Sequence, residues 1–496
     1  QRAGGALSIT QRRTEIGAVT DRFAAVETVS RFLGSRPERA VRQCKREYDE
    51  VALRSDLRIF LNVLDEADEE FRSRFVELAQ GFLAQADRAA LEALPAMLRL
   101  KWYLVGRGLV PELLKVLTYE RRKLRIPVTR ILWRHYAKYP FWGDRRLRIP
   151  RRVFRLGEEL APRARLHEMT WRRGKLHITG HAYIDYAGAG SPWSSLKAIG
   201  VKEVGSGSTR AVPARTRFCR DADETAGDPH RSHRWSGFSA TIDPKRLRRD
   251  GRYVDGTWLV AAGVYGGGVL RRGALVAPAS GSGAHPAWHY VGEDVRVVPL
   301  ITRGGTLRLR VETVRARVTG HRVADDAMEV RGKIRGGVPD GSALVVRRRT
   351  GTELNRYPVA TDDTACGGFR VRIPLSDLMA DMPVPAGESD RLPGLGQRAE
   401  PDDGVGWRLD MIVPDDCAGA DELFQLMFDD DAVEGLYSFA GKEVAVYRSR
   451  HGYAELKART PRPVVTDAIW ERGGTLVLSG DDPPGSPDPA ELVLRS

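Results

Sequence analysis

The residues that could carry chemistry in this sequence are few and far apart. Two histidine pairs have ligand-like spacings: His230 with His233 in DPHRSH, and His285 with His289 in HPAWH. No acidic residue and third ligand complete a zinc set beside either pair, so we interpret all of them as loop histidines. The histidine spacing therefore predicts no metal site.

Cysteine usage leads to the same expectation. The cysteines are scattered and form no CxxC pair: Cys44, Cys219, Cys366 and Cys417. This pattern is typical of reduced cytosolic thiols, and it favours neither a disulfide framework nor a zinc site.

Two further motifs have ordinary interpretations. The triple glycine Gly266–Gly268 lies between two strand-like segments and lacks the Lys-Ser/Thr of a P-loop, so it predicts a turn. FDDDAVEG, with Asp429 to Asp431, resembles a metal-binding DxD. It has no Gly-rich nucleotide-binding turn beside it, so it predicts a solvated acidic loop. With no Ser/His/Asp or Cys/His signature in the sequence, no active site is predicted.

Length and composition set limits on the fold. A chain of 496 residues is too long for a single core, and 42% hydrophobic and 29% charged residues are ordinary for a globular protein. No apolar run is long enough to form a membrane-spanning helix. The chain begins QRAGGALSIT and ends LVLRS, so we expect both ends to be cut from a longer protein.

The first region has a helical period. VTDRFAAVETVSRFL places apolar residues on one expected stripe, formed by Phe23, Val26, Val29, Phe32 and Leu33. Further stripes follow in SDLRIFLNVLDEADEEFRSRFVELAQGFL and LPAMLRLKWYLVGRGLVPELLKVLTYERR. These stripes predict the core of a small helical bundle.

After IPRRVFRLGEELAPRARL the period changes to two. LRLRVETVRARV alternates as a half-buried strand does, and Gly-rich turn signals recur through the rest of the chain. Many short strands without intervening helices predict β-sandwiches. The expected fold class is α+β and multidomain, with an N-terminal helical bundle followed by tandem all-β, immunoglobulin-like sandwiches.

Several markers recur in one order along this β region. Three segments of alternating apolar residues each end in a glycine: Gly180, Gly332 and Gly480. FSATIDPKRL at Phe238 matches FRVRIPLSDL at Phe369, and DGTWLV with Trp258 matches DGVGWRLDMIV with Trp407. The recurrence predicts tandem β domains of about 150 residues, with a truncated third copy. We expect the glycines, and likewise the two tryptophans, to occupy equivalent strand positions.

Positive charge is concentrated in one segment. Residues 99–155 contain seventeen Lys and Arg against three acids, a surplus that equals the +14 net charge of the chain. The segment is either a solvated helix face with a basic linker or a site for a polyanion or an anionic membrane. The candidate contacts are Arg130, Arg134, Lys138, Arg145, Arg146, Arg148, Arg151 and Arg152. The interleaved aromatic residues expected at an interface are Trp133, Tyr136, Phe141 and Trp142.

Several stretches resemble a known family. GGALSITQRRTEIGAVTDRFAAVETVSRFL, SDLRIFLNVLDEADEEFRSRF and LPAMLRLKWYLV are similar to the region after the catalytic core in family 2 glycosyltransferases of the teichoic-acid type. WRRGKLHITGHAYID, FSATIDPKRL and DGTWLVAAGVYGGGVLRRG resemble the middle section of long actinobacterial forms. In those forms a CDP-glycerol:glycerophosphate glycerophosphotransferase domain follows. The resemblance extends to Leu300 and includes no catalytic motif.

The resemblance implies an interior segment whose catalytic core, with its DxD metal site, would precede Gln1. Residues 1–17 would be the end of that core, where Arg2, Ser8 and Thr10 would contact the donor diphosphate. The alternative for these three residues is a plain loop that enters a helix. The segment would hold no cofactor, whereas the parent enzyme would use Mn²⁺ or Mg²⁺.

The expected domains follow in chain order. Residues 18–124 form a helical domain, 125–160 a basic linker, 161–310 and 311–459 two β-sandwiches, and 460–496 the start of a truncated third β domain.

The sequence thus predicts a non-catalytic segment of a bacterial cell-wall glycosyltransferase, which transfers sugar from a nucleotide donor to a lipid-linked polyol-phosphate polymer. Whether the chain itself is enzymatic is left open. Its expected partners are that anionic polymer, an anionic membrane surface and a second copy of the chain through the sandwiches. A nucleic acid is not expected, because the basic segment has no reader motif. The expected location is cytoplasmic and peripheral, on the inner face of the plasma membrane.

The alternative is a standalone carbohydrate- or polyanion-binding β-sandwich scaffold protein. A Gly-rich first strand and a DxD upstream in the reading frame would distinguish the enzyme segment from it.

Overall fold

The computed structural model describes residues 15–122, 126–277, 286–349, 354–362, 366–379, 404–414, 421–459, 464–470 and 476–481. The chain divides into two compact units. The first unit comprises Gln1–Arg246, Trp258–His285 and Ile301–Arg308. The second comprises Leu247–Thr257, Pro286–Leu300 and Leu309–Ser496.

The first unit begins with helices. They are α1 (Ile16–Gly34), α2 (Arg39–Val51), α3 (Arg58–Leu61), α4 (Glu69–Gln85), α5 (Arg88–Ala93), α6 (Ala96–Gly106) and α7 (Val110–Arg121). A π-helical turn, Ala52–Asp56, connects α2 to α3. Asp68 caps α4 because its carboxylate accepts the Phe71 N–H at 2.8 Å. Among the described helices, none has the length and apolarity needed to cross a bilayer.

The core of the helical bundle is aromatic. The ring of Phe75 lies 5.6 Å from Phe23 and 6.1 Å from Trp102, and all three are buried. The Trp102 indole N–H donates to the Leu53 carbonyl at 3.1 Å, which satisfies its one polar group. The predicted helical bundle is thereby confirmed.

One stripe of the bundle differs from its prediction. The buried face of α1 is Val19, Phe23, Val26 and Ser30, so Val29 and Phe32 point away from it, and Phe32 is 58% exposed. Ser30 takes the inward position because its hydroxyl donates to the buried Asp49 carboxylate at 2.6 Å. The expected placement of Val29 and Phe32 in the core is therefore wrong.

The remainder of the first unit is mostly β-structure. Its elements are β1 (Val128–Ile131), β2 (Arg134–Ala137), a 3₁₀ turn (Arg151–Phe154), β3 (Pro162–Arg172), β4 (Lys175–Ile184), β5 (Ser195–Glu203), β6 (Thr209–Arg217), α8 (Asp221–Ala226), β7 (Gly237–Ile242), a 3₁₀ turn (Pro244–Leu247), β8 (Gly256–Gly266) and β9 (Val269–Ala274). The strands pair antiparallel in the order β3-β4-β7-β6-β5-β8, with β9 on β8.

Strand β6 belongs to two sheets. Its first half pairs with β5 up to Pro213, and its second half pairs with β7 from Ala214 onward. Proline lacks an N–H for the ladder, so a change of partner at this residue leaves no donor unpaired. A strand that switches sheets makes a corner of a sandwich, with the residues of β4 and β8 that face inward buried.

The remaining elements are also strands, with one short helix. They are β10 (His289–Tyr290), β11 (Val295–Ile301), β12 (Leu307–Thr313), β13 (Ala316–Ala324), β14 (Ala327–Ile334), β15 (Ala343–Arg348), β16 (Leu354–Pro358), β17 (Ala360–Thr361), β18 (Gly368–Pro374), α9 (Leu375–Met379), β19 (Gly404–Val413), β20 (Glu422–Gln425), β21 (Met427–Phe428), β22 (Gly435–Phe439), β23 (Lys442–Arg448), β24 (Ala454–Arg459), β25 (Val464–Trp470) and β26 (Leu476–Asp481).

The second unit contains a two-sheet sandwich. One sheet has the order β17-β18-β14-β13-β21, and the other has the order β16-β15-β19-β24-β23-β22. Side chains of both sheets meet in one core, which includes Val330, Phe369, Leu409 and Val446. The predicted fold class, helices followed by β-sandwiches, is confirmed.

The three repeat glycines occupy the same place in three hairpins. Gly180 pairs with Leu166, Gly332 with Val318 and Gly480 with Val465, and each pairing is followed by a β-bulge. The residues displaced by the bulges are His167, Thr319 and Thr466. The predicted equivalence of the glycines is confirmed.

Glycine is required at Gly180 and Gly332 because a side chain would have no room. A Cβ on Gly180 would collide with the Arg165 carbonyl oxygen, and one on Gly332 would collide with that of Arg317. The ring of Phe238 or Phe369, on the next strand, covers the same place. The two sequence markers, glycine and phenylalanine, are thus one packing unit.

The two repeat tryptophans are also equivalent. Trp258 on β8 pairs with Glu203 at the end of β5, and Trp407 on β19 pairs with Arg348 at the end of β15. Both are almost fully buried. The internal repeat therefore reflects one topology used twice.

Candidate polyanion-binding groove

The structure places the eight candidate cations of the basic segment at the surface of the first unit. Arg130 and Arg134 lie on the β1–β2 hairpin, and Lys138 follows it. The other five lie on the segment that leads into the first 3₁₀ turn: Arg145, Arg146, Arg148, Arg151 and Arg152. All eight side chains are exposed.

The aromatic residues of this segment are mostly structural. Tyr136 is buried, with its ring 5.7 Å from that of Trp142, which contacts Phe154 edge-on at 5.2 Å. The expectation that Tyr136 lies at a membrane interface is wrong, because this side chain is buried under the segment. Phe141 and Trp142 are half-buried. Trp133, at the hairpin turn beside Leu132, is 71% exposed.

Arg134 and Arg152 line a cavity of about 630 Å³ together with Arg99 and Arg271. Arg99 donates to the Arg152 carbonyl at 2.6 Å, and Arg271 donates to the Leu160 carbonyl at 3.0 Å. Burial lowers the pKa of the Arg99 guanidinium. Arg99 and Arg271 thus brace the backbone and direct some of their donors to carbonyl groups.

A groove of about 990 Å³ lies on the outer face of β3, β4, β7 and the second half of β6. Its floor includes small hydroxyl side chains at outward positions: Thr170, Thr179, Ser239 and Thr241. The register places Thr170 opposite His177 and His177 opposite Thr241. The His177 Nδ1 and the Thr241 hydroxyl are 3.0 Å apart, which holds the middle of the floor together.

Cationic side chains surround this floor. Seven of them line the groove: Arg172, Lys175, Arg210, Arg215, Arg217, Lys245 and Arg246. Among the described lining residues, only Glu168 and Asp243 are carboxylates. The groove therefore has a strong excess of positive charge.

Most of this charge has no local counter-charge. Lys175 pairs with Asp243 at 3.4 Å, and the hydrogen bond from the Lys245 backbone N–H holds the pKa of Asp243 below its ordinary value. In the part of the chain that the structure describes, no carboxylate lies within ion-pair distance of Arg172 or Arg215. Exposed cations without counter-ions attract polyanions, and the attraction is screened by salt.

Several of the arginines are held in place by the protein. The Arg217 Nε donates to the Ser239 hydroxyl at 3.2 Å. Arg210 donates to the Arg246 carbonyl at 2.7 Å, and its guanidinium lies 5.7 Å from the centre of the Trp258 ring. A fixed guanidinium loses less entropy on binding and can contact a phosphate with two parallel hydrogen bonds.

Sequence reasoning missed the groove. Its cations come from three strands (β3, β4 and β6) and from the 3₁₀ turn after β7, and no short motif joins them. One local signal was present: Arg215 and Arg217 alternate in RAVPARTR, which indicates a strand with a basic outer face. The charge surplus of residues 99–155 instead predicts a basic site in a different part of the same unit.

The sequence-predicted motifs have these outcomes. Gly267 and Gly268 adopt positive φ in the β8–β9 turn, as predicted. His233 lies in the loop between α8 and β7, as predicted, but it is buried and its ring packs 4.4 Å from the Tyr183 ring. His289 lies on strand β10, so the loop prediction for it is wrong. Burial lowers the pKa of His233 and lowers that of His181 on β4 to about 4.

Other predicted positions cannot be placed in this way. Arg2, Ser8, Thr10, His285 and Cys417 lie outside the described residues. Asp430 and Asp431 are exposed in a turn after β21, as expected for a solvated acidic loop.

Comparisons with known proteins give low similarity. No protein-family model matches the sequence, and no curated protein matches it. The structure is similar to that of residues 217–571 of S. aureus TarS at 9% identity and a TM-score of 0.32, over 71% of this chain and 92% of that one.

Two other solved structures give lower values. A structure of S. aureus TarS matches at 10% identity and a TM-score of 0.27, over 71% of this chain and 58% of that one. The FN1–FN3 domains of chicken CNTN1 match at 8% identity and a TM-score of 0.13, over 65% and 87% of the two chains. At these values the similarities assign no activity to this chain, whose function has to be argued from its own residues.

Proposed function

We propose that this chain is a non-catalytic helical and β-sandwich segment of a bacterial wall-polymer glycosyltransferase of the teichoic-acid type. In this proposal its first unit holds the polyol-phosphate acceptor in the basic groove. The groove is the observation that supports the proposal most strongly. Seven Lys and Arg side chains line it around a floor of hydroxyl groups, against two carboxylates. The resemblance of the helical and first β segments to that family supports the choice of polymer.

The groove suits a chain that alternates phosphates with polyols. Arg172, Arg215 and Arg217 offer planar guanidinium groups to phosphate oxygens. Thr170 and Thr241 offer hydroxyls, which both donate and accept hydrogen bonds with the hydroxyls of a polyol. The described lining residues include no Phe, Tyr or Trp on which a sugar ring could stack, so the phosphates are the main recognition element.

The parent enzyme, in this proposal, transfers sugar from a nucleotide donor with the help of Mn²⁺ or Mg²⁺. This segment brings the polymer to the catalytic core. Because the acceptor is held there, its reaction with the bound donor no longer depends on an encounter in solution. The sandwiches are also a proposed surface for association with a second copy.

The β1–β2 hairpin supports a peripheral position on the inner face of the plasma membrane. Leu132 and Trp133 are exposed at its tip beside Arg130 and Arg134. Basic residues near an anionic surface each contribute about 1 kcal/mol. We expect the chain to co-sediment with anionic liposomes at low salt and to be released at high salt.

A variant tests the basic segment after the hairpin, which we propose to share this membrane contact. In it, five exposed arginines are changed to Gln: Arg145, Arg146, Arg148, Arg151 and Arg152. We expect it to stay in the supernatant while the sandwiches keep their circular dichroism. Equal sedimentation with neutral and anionic liposomes, or no loss in the variant, would contradict the proposed membrane contact.

Polymer binding is tested with a defined ligand. Fluorescently labelled synthetic poly(glycerol phosphate) is titrated with the chain of residues 1–496, and labelled dextran of similar length is the neutral control. We expect saturable binding of the polymer alone, weakened steeply as the Debye length falls from about 10 Å at 0.1 M salt to about 3 Å at 1 M. Binding that is equal for both ligands, or that is insensitive to salt, would overturn the proposal.

A further inference from the structure

Three potential metal ligands meet at one end of the groove-bearing sheet. The His167 Nε2 lies 2.8 Å from the His181 Nδ1, and the Cys219 Sγ lies 3.9 Å from that same nitrogen. All three ligand atoms lie within 4.8 Å of one another. His181 is 2% exposed, Cys219 is half-buried and His167 is exposed, so the cluster is a shallow site with a buried floor.

The fold brings these residues together from two strands and from the segment that follows a third. His167 is the displaced residue of the β3 bulge, which points its side chain to the same outer face as the residue after it. His181 lies on the outer face of β4, opposite Arg165 on one side and Gly237 on the other. Cys219 follows the end of β6 on that face.

Gly237 makes room for the thiol. A Cβ at this position would lie 3.0 Å from the Cys219 Cβ and 2.7 Å from the Arg217 carbonyl oxygen. Because Gly237 has no side chain, Cys219 can approach the imidazole of His181.

The scaffold does not require this cluster. The bulge residue is Thr319 in the second copy and Thr466 in the third. The residue after the repeat glycine is Lys333 in the second copy and Asp481 in the third, in place of His181. At these two hairpin positions, histidines thus replace residues that serve the same hairpin elsewhere in the chain.

We propose that His167, His181 and Cys219 bind a zinc ion, with a water molecule as the fourth ligand. Zinc is bound by imidazole nitrogen at about 2.0–2.1 Å and by thiolate at about 2.3 Å in tetrahedral geometry. Ligand atoms around such an ion are therefore about 3.3–3.6 Å apart. The observed separations of 2.8 and 3.9 Å lie on either side of this range, so small side-chain rotations suffice.

The chemistry of the donor set favours zinc. A mixed nitrogen and sulfur set suits zinc rather than magnesium or calcium, which take oxygen ligands. Coordination uses the thiolate, so the Cys219 thiol proton is released to solvent as the metal binds. The ion would join the β3 bulge, β4 and the end of β6 at the edge of the groove, and it requires no polymer.

The test uses the whole chain, reduced and freed of metal with a chelator. Cobalt(II) is titrated and followed by its thiolate charge-transfer absorption, and zinc then competes for the site. We expect one equivalent of cobalt to give that absorption and zinc to displace it. His167→Thr and Cys219→Ser should each weaken zinc binding at least about 100-fold, since loss of a supporting contact alone costs about 10–100-fold.

The variants have matched controls. His167→Thr places at the bulge the residue that the second copy has there, Thr319, so the hairpin should still fold. Cys44→Ser and His230→Asn remove an exposed thiol and an exposed imidazole elsewhere in the first unit and should leave the titration unchanged.

Two results would overturn the proposal. One is the absence of a saturable cobalt–thiolate absorption in the wild-type chain. The other is an absorption that persists in Cys219→Ser, which would assign the metal to another thiol. Should His167→Thr fail to fold, the Cys219→Ser result decides, because that change removes one sulfur atom and keeps the side-chain size.

Discussion

The first and second sandwiches share one topology but have different outer faces. In the first, the row across β3, β4 and β7 is Thr170, His177 and Thr241. In the second, the equivalent row across β13, β14 and β18 is Arg322, Glu329 and Arg372. The interior markers, glycine, phenylalanine and tryptophan, are the same in both.

These two rows of residues give the outer faces of the two sandwiches different electrostatics. Glu329 accepts hydrogen bonds from Arg322 at 3.0 Å and from Arg331 at 2.7 Å, and these arginines hold its pKa below the ordinary value, Arg322 most strongly. His177 at the same position is hydrogen-bonded to Thr241 and offers no carboxylate to the surrounding cations. The second face therefore pairs cations with its own acid, whereas the first leaves cations free for a ligand. The charge of each outer face is thus set by outward positions that the core does not constrain.

The largest expected effect tests the shared interior. Trp258→Ala and Trp407→Ala should each destabilise their own unit by about 3–5 kcal/mol, because each removes a large buried aromatic side chain. Denaturant unfolding followed by hydrogen exchange of β8 and of β19 measures the two losses separately. A cost below about 1 kcal/mol in one copy only would mean that the two tryptophans are not equivalent in packing.

A smaller effect on stability is expected for Glu329, the carboxylate on the outer face of the second sandwich. Glu329→Gln should lower the local stability of β14 and β18 by about 1–2 kcal/mol, because hydrogen bonds to a buried charge are lost while the arginines are partly solvated. The readout is amide exchange of residues 327–334, with the first sandwich as the internal control. No change in that exchange would show that the ion pairs of Glu329 contribute no measurable stability.

The pH dependence of this site has a definite sign. The folded-state pKa of Glu329 is lowered, so the stability it contributes is present above the unfolded pKa of about 4.3 and is lost as pH falls through the folded value. Protection of β14 should therefore decrease below about pH 4 in the wild-type chain and much less in Glu329→Gln. An identical pH profile for both chains would contradict the pairing.

The smallest effect is expected for a substitution that makes the outer face of the first sandwich resemble that of the second. His177→Glu places a carboxylate in the middle of the first groove, as Glu329 lies in the second. We expect polymer affinity to fall by roughly fivefold, corresponding to about 1 kcal/mol for one charge near the ligand. His177→Gln, which is similar in size and uncharged, is the control. A loss of equal size with Gln would attribute the effect to the Thr241 contact instead of charge.

The sequence reveals the repeat but not the sites. Gly180, Gly332 and Gly480 are visible because each is tied to a strand pattern within a few residues. The groove is hidden because Arg172 and Arg215 become neighbours only through the pairing of β3, β4, β7 and β6.

The His167–His181–Cys219 cluster and the apolar residues that the sequence analysis placed wrongly have similar explanations. His167 and Cys219 are too far apart in the chain for ligand spacing to connect them, and the bulge that orients His167 is a tertiary feature. Ser30 displaces the expected α1 stripe through its bond to Asp49, a partner on another helix. Tyr136 is buried because Trp142 and Phe154 return to cover it. Periodicity records none of these long-range contacts.

The central claim is that the outer face of the first sandwich, and not that of the second, binds the phosphate polymer. Two triple variants test it against each other at equal charge loss: Arg172→Gln/Arg215→Gln/Arg217→Gln in the first, and Arg322→Gln/Arg370→Gln/Arg372→Gln in the second. Affinity for poly(glycerol phosphate) at 0.1 M salt should fall roughly 100-fold in the first variant, at about 1 kcal/mol for each charge, and less than about threefold in the second. Equal losses in both variants, or a loss confined to the second, would contradict the account.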